Sequence, residues 1–212
     1  MKRIVVIVSE PKSLATTRGH LLLALRDAGY EVHAMAPVDA MTVRWLTENG
    51  VQFHPLPMKR AGIAPFGDAL LAFRLHKWLR EIKPQVVLTC AIKPIVYGMP
   101  AALIAGTPRR HALVTGLGYA FTDRHKSPRW RMVNAVARLL YASSLRVATT
   151  VTFQNDDDRN DFRRLGLLGR TPANVVNGSG VDLDRFKVAS LPEQPRFLMI
   201  ARLLRDKGLA EY

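Results

Sequence analysis

Apolar runs and helix-spaced apolar positions alternate along this chain from its first residues. RIVVIV (3–8) is continuous, β-branched and closed by polar turn residues, the pattern of a strand buried on both faces. Leu14, Leu21, Leu22 and Leu25 then fall at helical spacing and predict one helix over 14–28, which Gly29 terminates. The same reading gives a strand at 31–36 stopped by Pro37, a short helix at 40–49, a strand at 51–56, and a helix at about 66–82 ended by Pro84. Beyond these come strand 85–90, a helix at 95–106 rich in small residues, and strand 110–115. Helix 128–146, strand 147–153, helix 156–166 and strand 174–177 complete the series. Strands alternating with helices at this spacing predict an α/β domain, a doubly wound parallel sheet covered on both faces.

The pattern lapses at 178–195, which is rich in Gly, Ser, Asp and Pro and reads as a linker between a domain at 1–177 and a further segment at 196–212. In that segment RFLMIA (196–201) predicts a new strand and ARLLRDKG the turn after it. A strand with no sheet to join would leave Phe197, Leu198, Met199 and Ile200 exposed. Composition sharpens the picture in three respects. Hydrophobic residues make up 48% of the 212, enough for a sizeable core, and a single cysteine, Cys90, rules out a disulfide framework. Cys90 follows the apolar run VVLT, the setting of a small buried residue rather than of a nucleophile. The net charge of +14 points to partners carrying phosphate. The N-terminal apolar run is too short for a signal peptide and no stretch is long enough to span a bilayer, so a cytoplasmic chain is expected.

Open α/β sheets bind ligands at the carboxyl ends of their strands, so candidate chemistry is sought in the strand-to-helix loops. The first, SEPKSLATTRGH (9–20), lacks the dinucleotide and P-loop glycine patterns. Its Lys12 and Arg18 are placed to meet an anion at a helix N-terminus, or else are solvated loop charges. In CAIKPIVYG (90–98), Lys93 sits beside the positive end of the next helix, a poor place for a cation unless something negative lies against it. TGLGYAF (115–121) offers Gly116 and Gly118, which allow close backbone approach to a ligand, followed by Tyr119. Residues 124–146 hold six Lys/Arg and no acid. Trp130, Val133, Ala137, Leu140 and Tyr141 form one helical face there, and Arg124, Lys126, Arg129, Trp130 and Arg131 are candidates for contact with anionic headgroups. Asn155 reads as an N-cap followed by three acids in the first turn, and no metal-spaced or Ser/His/Asp constellation appears. No catalytic residue can be named from spacing.

These motifs converge. NGSGVDLDRF followed by a strand and ARLLRDKG resembles the interdomain passage of glycosyltransferase family 4, whose members have the two-domain GT-B fold. CAIKPIVYG, VTGLGY and FQNDDD resemble the bacterial subgroup that adds sugars to undecaprenyl-diphosphate-linked acceptors. The resemblance implies that residues 1–177 are the Rossmann-like, acceptor-binding N-terminal half of such an enzyme. It implies acceptor contacts at Arg18, Lys93, Gly116, Gly118 and Tyr119, and a donor-diphosphate grip by Arg202 and Lys207. It further implies transfer of a hexosyl or N-acetylhexosaminyl group from a nucleotide sugar with retention of configuration, no metal or other cofactor, and peripheral attachment to the inner face of the membrane. Since only the opening of a donor-binding half follows residue 195, the 212-residue chain alone is expected to be inactive. Two other readings stand beside this one: a basic nucleic-acid-binding α/β domain, and a non-catalytic truncated remnant.

Overall fold

β1 (Lys2–Val8) lies inside the sheet, third among its seven described strands, because its residues are apolar on both sides. In the computed structural model, which describes residues 2–58, 65–116, 128–200 and Gly208, β1 pairs in parallel with β2 (Tyr30–Ala36) on one side and β4 (Val86–Cys90) on the other. β3 (Gln52–Pro55) lies outside β2; β5 (Arg109–Val114), β6 (Thr150–Phe153) and β7 (Ala173–Val175) extend the other side. Every pairing is parallel and the order is β3-β2-β1-β4-β5-β6-β7, the doubly wound arrangement the alternation predicts.

The period-2 alternation of β1 divides the interior into two cores. Ile4, Val6 and Val8 face Leu14 of α1 (Lys12–Ala15), Leu22 of α2 (Gly19–Asp27) and Leu46 of α3 (Ala40–Glu48). Val5 and Ile7 face the opposite layer, with Leu71, Leu75 and Leu79 of α4 (Pro65–Ile82) and Ile95 and Met99 of α5 (Ile92–Ile104). Tyr141 and Leu145 of α6 (Pro128–Arg146) and Phe162 of α7 (Asp156–Arg164) complete that core.

α5 sits closest to the sheet because its residues are small. A Cβ on Gly98 would stand 2.9 Å from Thr89 Cγ2 and 3.2 Å from Ile7 Cδ1. Pro100 lies inside α5 and has no N–H to give to the carbonyl of Val96. The buried Ser144 of α6 brings a hydroxyl there, with Oγ 3.0 Å from Val96 O and 2.8 Å from Leu140 O, so its one proton is shared between the two carbonyls. A neighbouring helix thus partly offsets the backbone defect.

Two sequence expectations change. The helix predicted over 14–28 is broken: α1 ends at Ala15 and α2 starts at Gly19. The Thr16 and Thr17 hydroxyls donate to the carbonyls of Lys12 and Ser13, and Arg18 N donates to Ser13 O at 2.8 Å. These local bonds compete with helix continuation and leave Arg18 at the N-cap of α2. The second change concerns 196–201. Residues 196–200 form no strand, because a strand exists only through a hydrogen-bonded partner and none lies beside them among the described residues. Phe197, Leu198 and Ile200 are exposed as expected, Met199 only in part, and Ala201 lies outside the described residues. By contact density the chain divides into Met1–Gly180, which holds the whole sheet, and Val181–Tyr212.

At the β2–β3 edge two histidines share a buried setting. His33 Nδ1 lies 2.9 Å from His54 Nε2, the two rings stack, and His54 also packs on Trp78. Glu31, bridged to Arg3, faces the far nitrogen of His33 at 3.2 Å. Burial, and then the neighbouring His33, push His54 down from 6.5 to about 4; burial lowers His33 as well, against the pull of Glu31. The unfolded chain takes up these protons near pH 6.5 and the fold resists them. Stability is therefore full above pH 6.5 and is lost as pH falls toward 4, by about 1–2 kcal/mol after allowing for partial exposure of the ring. Thermal unfolding between pH 7 and 4.5 should show this acid limb, and His54→Gln should flatten it.

Candidate functional site

The order of the strands reverses between β1 and β4: from β1 the chain moves outward to β2 and β3, then returns across β1 to β4. In open α/β sheets the loops leaving two such strands run in opposite directions, and the carboxyl edge between them is where ligands bind. Arg18 enters from the β1 side. The break between α1 and α2 turns it inward, leaving it 8% exposed. Its Nη1 donates to Ser179 Oγ at 2.7 Å, and its guanidinium also meets the thiol of Cys90 at the end of β4. Ser179 Oγ in turn lies 3.2 Å from Gln154 Nε2, just past the end of β6. Among the described residues the partners of this permanently charged group are thus neutral. Cys90 is buried, as its sequence setting suggests, and burial raises its thiol pKa despite Arg18.

From the β4 side comes Ala91, the N-cap of α5, at φ 75° and ψ 169°. Only glycine adopts this conformation readily, so about 1–3 kcal/mol of strain is stored where the strand turns into the helix. Lys93 follows in the first turn of α5. A cation at a helix N-terminus needs something negative beside it, and the chain itself supplies it: Lys93 Nζ lies 3.0 Å from Asp68 Oδ1, with side chains only 13% and 10% exposed. Asp68 stands in the first turn of α4 and also accepts from Tyr97, whose hydroxyl is pushed up to about 12 by burial and by this carboxylate. Arg18 is buried and Lys93 half-buried at the same edge. Among the described residues Lys93 has a carboxylate partner and Arg18 has none.

Of the other expected contacts, Gly116 follows β5 with φ 142°, a backbone state that suits glycine. Gly118, Tyr119, Arg124, Lys126, Arg202 and Lys207 lie outside the described residues. Arg129, Trp130 and Arg131 fall in the first turn of α6, and nothing of their side chains is described. The face predicted for α6 is only partly the buried one: Tyr141 is buried while Leu140 is 43% exposed. Asn155 caps α7, accepting from Asp158 N at 2.7 Å as expected. The sequence alone does not point to Asp68, Gln154 or Ser179: only the misplaced charge of Lys93 hints at Asp68, and Ser179 lies within a stretch that reads as linker.

Residues 5–155 match the family described as glycosyl transferase 4-like. The chain belongs to that family. It is 29% identical over 206 residues to N,N'-diacetylbacillosaminyl-diphospho-undecaprenol alpha-1,3-N-acetylgalactosaminyltransferase of Campylobacter jejuni. The match covers 91% of this chain and 54% of that protein, so this glycosyl transferase 4-like chain spans about half the length of its curated relative. Among solved structures, Staphylococcus aureus MnaA bound to UDP matches with TM-score 0.60 and 15% identity, over 89% of this chain and 47% of its own. Anabaena HepE with UDP and glucose gives 0.58 and 15% over the same shares. Acinetobacter baumannii MurG gives 0.54 and 15% over 74% of this chain and 42% of its own. These likenesses establish the fold.

The buried ion pair is testable on its own. Removing one partner leaves an uncompensated charge, so Lys93→Met should cost about 2–4 kcal/mol in urea unfolding. Adding Asp68→Leu should recover more than half of that loss. Additive losses would mean that the two groups do not stabilise one another.

Proposed function

We propose that this chain is the acceptor-binding part of a glycosyltransferase that moves a hexosyl or N-acetylhexosaminyl group from a nucleotide sugar to a lipid-diphosphate-linked glycan. In this reading Arg18, Lys93 and Gly116, with Gly118 and Tyr119, meet the acceptor; Arg202 and Lys207 serve the donor diphosphate; and transfer retains configuration without a metal. The family match and the Campylobacter relative, named for transfer onto an undecaprenol diphosphate, support the substrate class. The UDP-bound neighbours are compatible with a nucleotide-sugar donor.

The observation that carries the reading is a pair of exposed apolar rows. On α4, Phe66 (94% exposed), Leu70 (45%) and Phe73 (64%) follow i, i+4, i+7; on α6, Met132 (64%), Val136 (48%) and Leu139 (69%) do the same. Rows of this size are costly to leave in water and favour an apolar partner. Arg74, Lys77 and Arg80 on α4 and the acid-free basic stretch 124–146 add attraction for anionic lipid. α4 and α6 both begin at the carboxyl edge of the sheet, and both pack on α5. A lipid-linked diphosphate needs this adjacency, with its tail on an apolar surface and its phosphates one turn away on a basic edge. No helix among the described residues is long and apolar enough to cross a membrane, so attachment in this reading is peripheral, at the cytoplasmic face, with Arg124, Lys126, Arg129, Trp130 and Arg131 among the headgroup contacts.

Sedimentation with vesicles tests it. At low salt the chain should pellet with vesicles containing phosphatidylglycerol and more strongly once these also carry a polyprenyl-diphosphate-linked acetamido sugar. Phe66→Ser with Phe73→Ser should lower vesicle binding at least about fivefold. Absence of binding to anionic vesicles, or no gain from the acceptor lipid, would contradict the reading.

A further inference from the structure

Arg18 poses a chemical problem that its partners among the described residues do not solve. A guanidinium stays protonated at any accessible pH, and at 8% exposure it has given up most of its water. Desolvating such a charge is expensive unless an opposite charge compensates it. Lys93, at the same edge, has Asp68 for that purpose. Arg18 has the Ser179 hydroxyl and the Cys90 thiol. The Ser179 contact is also peculiar in its setting. Ser179 is itself exposed, and it is carried between Gly178 (φ 73°) and Gly180 (φ 77°), so a short, permissive loop lays one hydroxyl oxygen over a buried cation from the solvent side. The Gln154 amide reaches the same oxygen. Two N–H-bearing groups from distant parts of the chain thus converge on one exchangeable oxygen.

We propose that Arg18 and Gln154 form a subsite for a phosphoryl oxygen, and that Ser179 Oγ stands in this subsite until an anion displaces it. The inference rests on reading this sheet edge as the diphosphate-binding edge, and goes beyond it in naming Gln154 and Ser179 and in making the anion a competitor of the chain's own hydroxyl. A phosphate supplies a negative charge, which none of the described partners of Arg18 carries, and two oxygens matched to the guanidinium fork. The chemistry recognised is that of a phosphoryl group, whether it comes from a lipid diphosphate or a nucleoside diphosphate. On binding, the Gly178–Gly180 turn is released from Arg18, so ligand arrival is coupled to the segment that leads out of the sheet-bearing unit.

The test is calorimetric titration of the 212-residue chain with inorganic pyrophosphate at fixed ionic strength. Arg18→Met should weaken binding at least about tenfold, the loss expected for a charge-assisted contact. Arg170→Met, which removes the same charge from an exposed site, should change it less than about twofold. Ser179→Ala should tighten binding by about three- to tenfold, because nothing then competes for the guanidinium. Equal losses in the two arginine variants would reduce the effect to general attraction by a basic protein and overturn the proposal. Weaker binding in Ser179→Ala would overturn it too, making the hydroxyl a ligand rather than a stand-in; this variant decides the matter even if Arg18→Met does not fold. Competition of UDP or of a short-chain polyprenyl diphosphate against pyrophosphate assigns the source, and failure of both to compete would contradict the subsite. Pyrophosphate binding that persists while vesicle binding fails would count against the lipid reading alone.

Discussion

The constraint on which the rest of the structure depends is the placement of β1 between β2 and β4. A strand apolar on both faces must be central, and parallel neighbours on either side require crossovers that leave from the same edge in opposite directions. The carboxyl edge where the β1 and β4 loops part follows from that alone. Its chemistry comes from what the two loops carry: Arg18 after a broken helix on one side, strained Ala91 and paired Lys93 on the other.

The two cations divide the labour of this edge. Lys93 is committed to Asp68, and through it α4 and α5 are tied together where both helices begin. α5 in turn lies close on the sheet at Gly98 and meets α6 through the Ser144 hydroxyl, whose proton is shared between Val96 O and Leu140 O. The layer presenting the exposed apolar rows is therefore anchored at that edge itself. Among the described residues Arg18 has no such carboxylate, so its charge is the part of the edge on which the proposed phosphoryl site rests.

Much of this was legible in the sequence, for reasons that can be stated. The strands are runs of β-branched residues and the helices carry strong apolar spacing, so period and composition agree and the doubly wound class follows. Lys93 was singled out because a cation at a helix N-terminus needs an explanation, and Asn155 because its cap chemistry is local. What escaped notice depends on residues far apart in the chain: Asp68 is 25 positions from Lys93, and Ser179 is 161 from Arg18. No periodicity encodes such contacts. The break at Thr16–Arg18 was hidden for another reason, since Leu14 and Leu22 both face the core and keep helical spacing across it. Residues 196–200 have the composition of a strand, but composition cannot supply the partner that makes one.

The central claim is that an acceptor's diphosphate sits at the carboxyl edge between the β1 and β4 loops. Backbone amide NMR of the isotopically labelled chain, titrated with a short-chain polyprenyl-diphosphate-linked acetamido sugar, addresses it most directly. The account predicts that the largest shifts fall at Thr17–Gly19, Ala91–Lys93, Thr115–Gly116 and Gly178–Gly180, with the opposite edge around Gln85 and Thr107 unmoved. Shifts centred on that opposite edge, or spread evenly over the exposed basic residues, would contradict it.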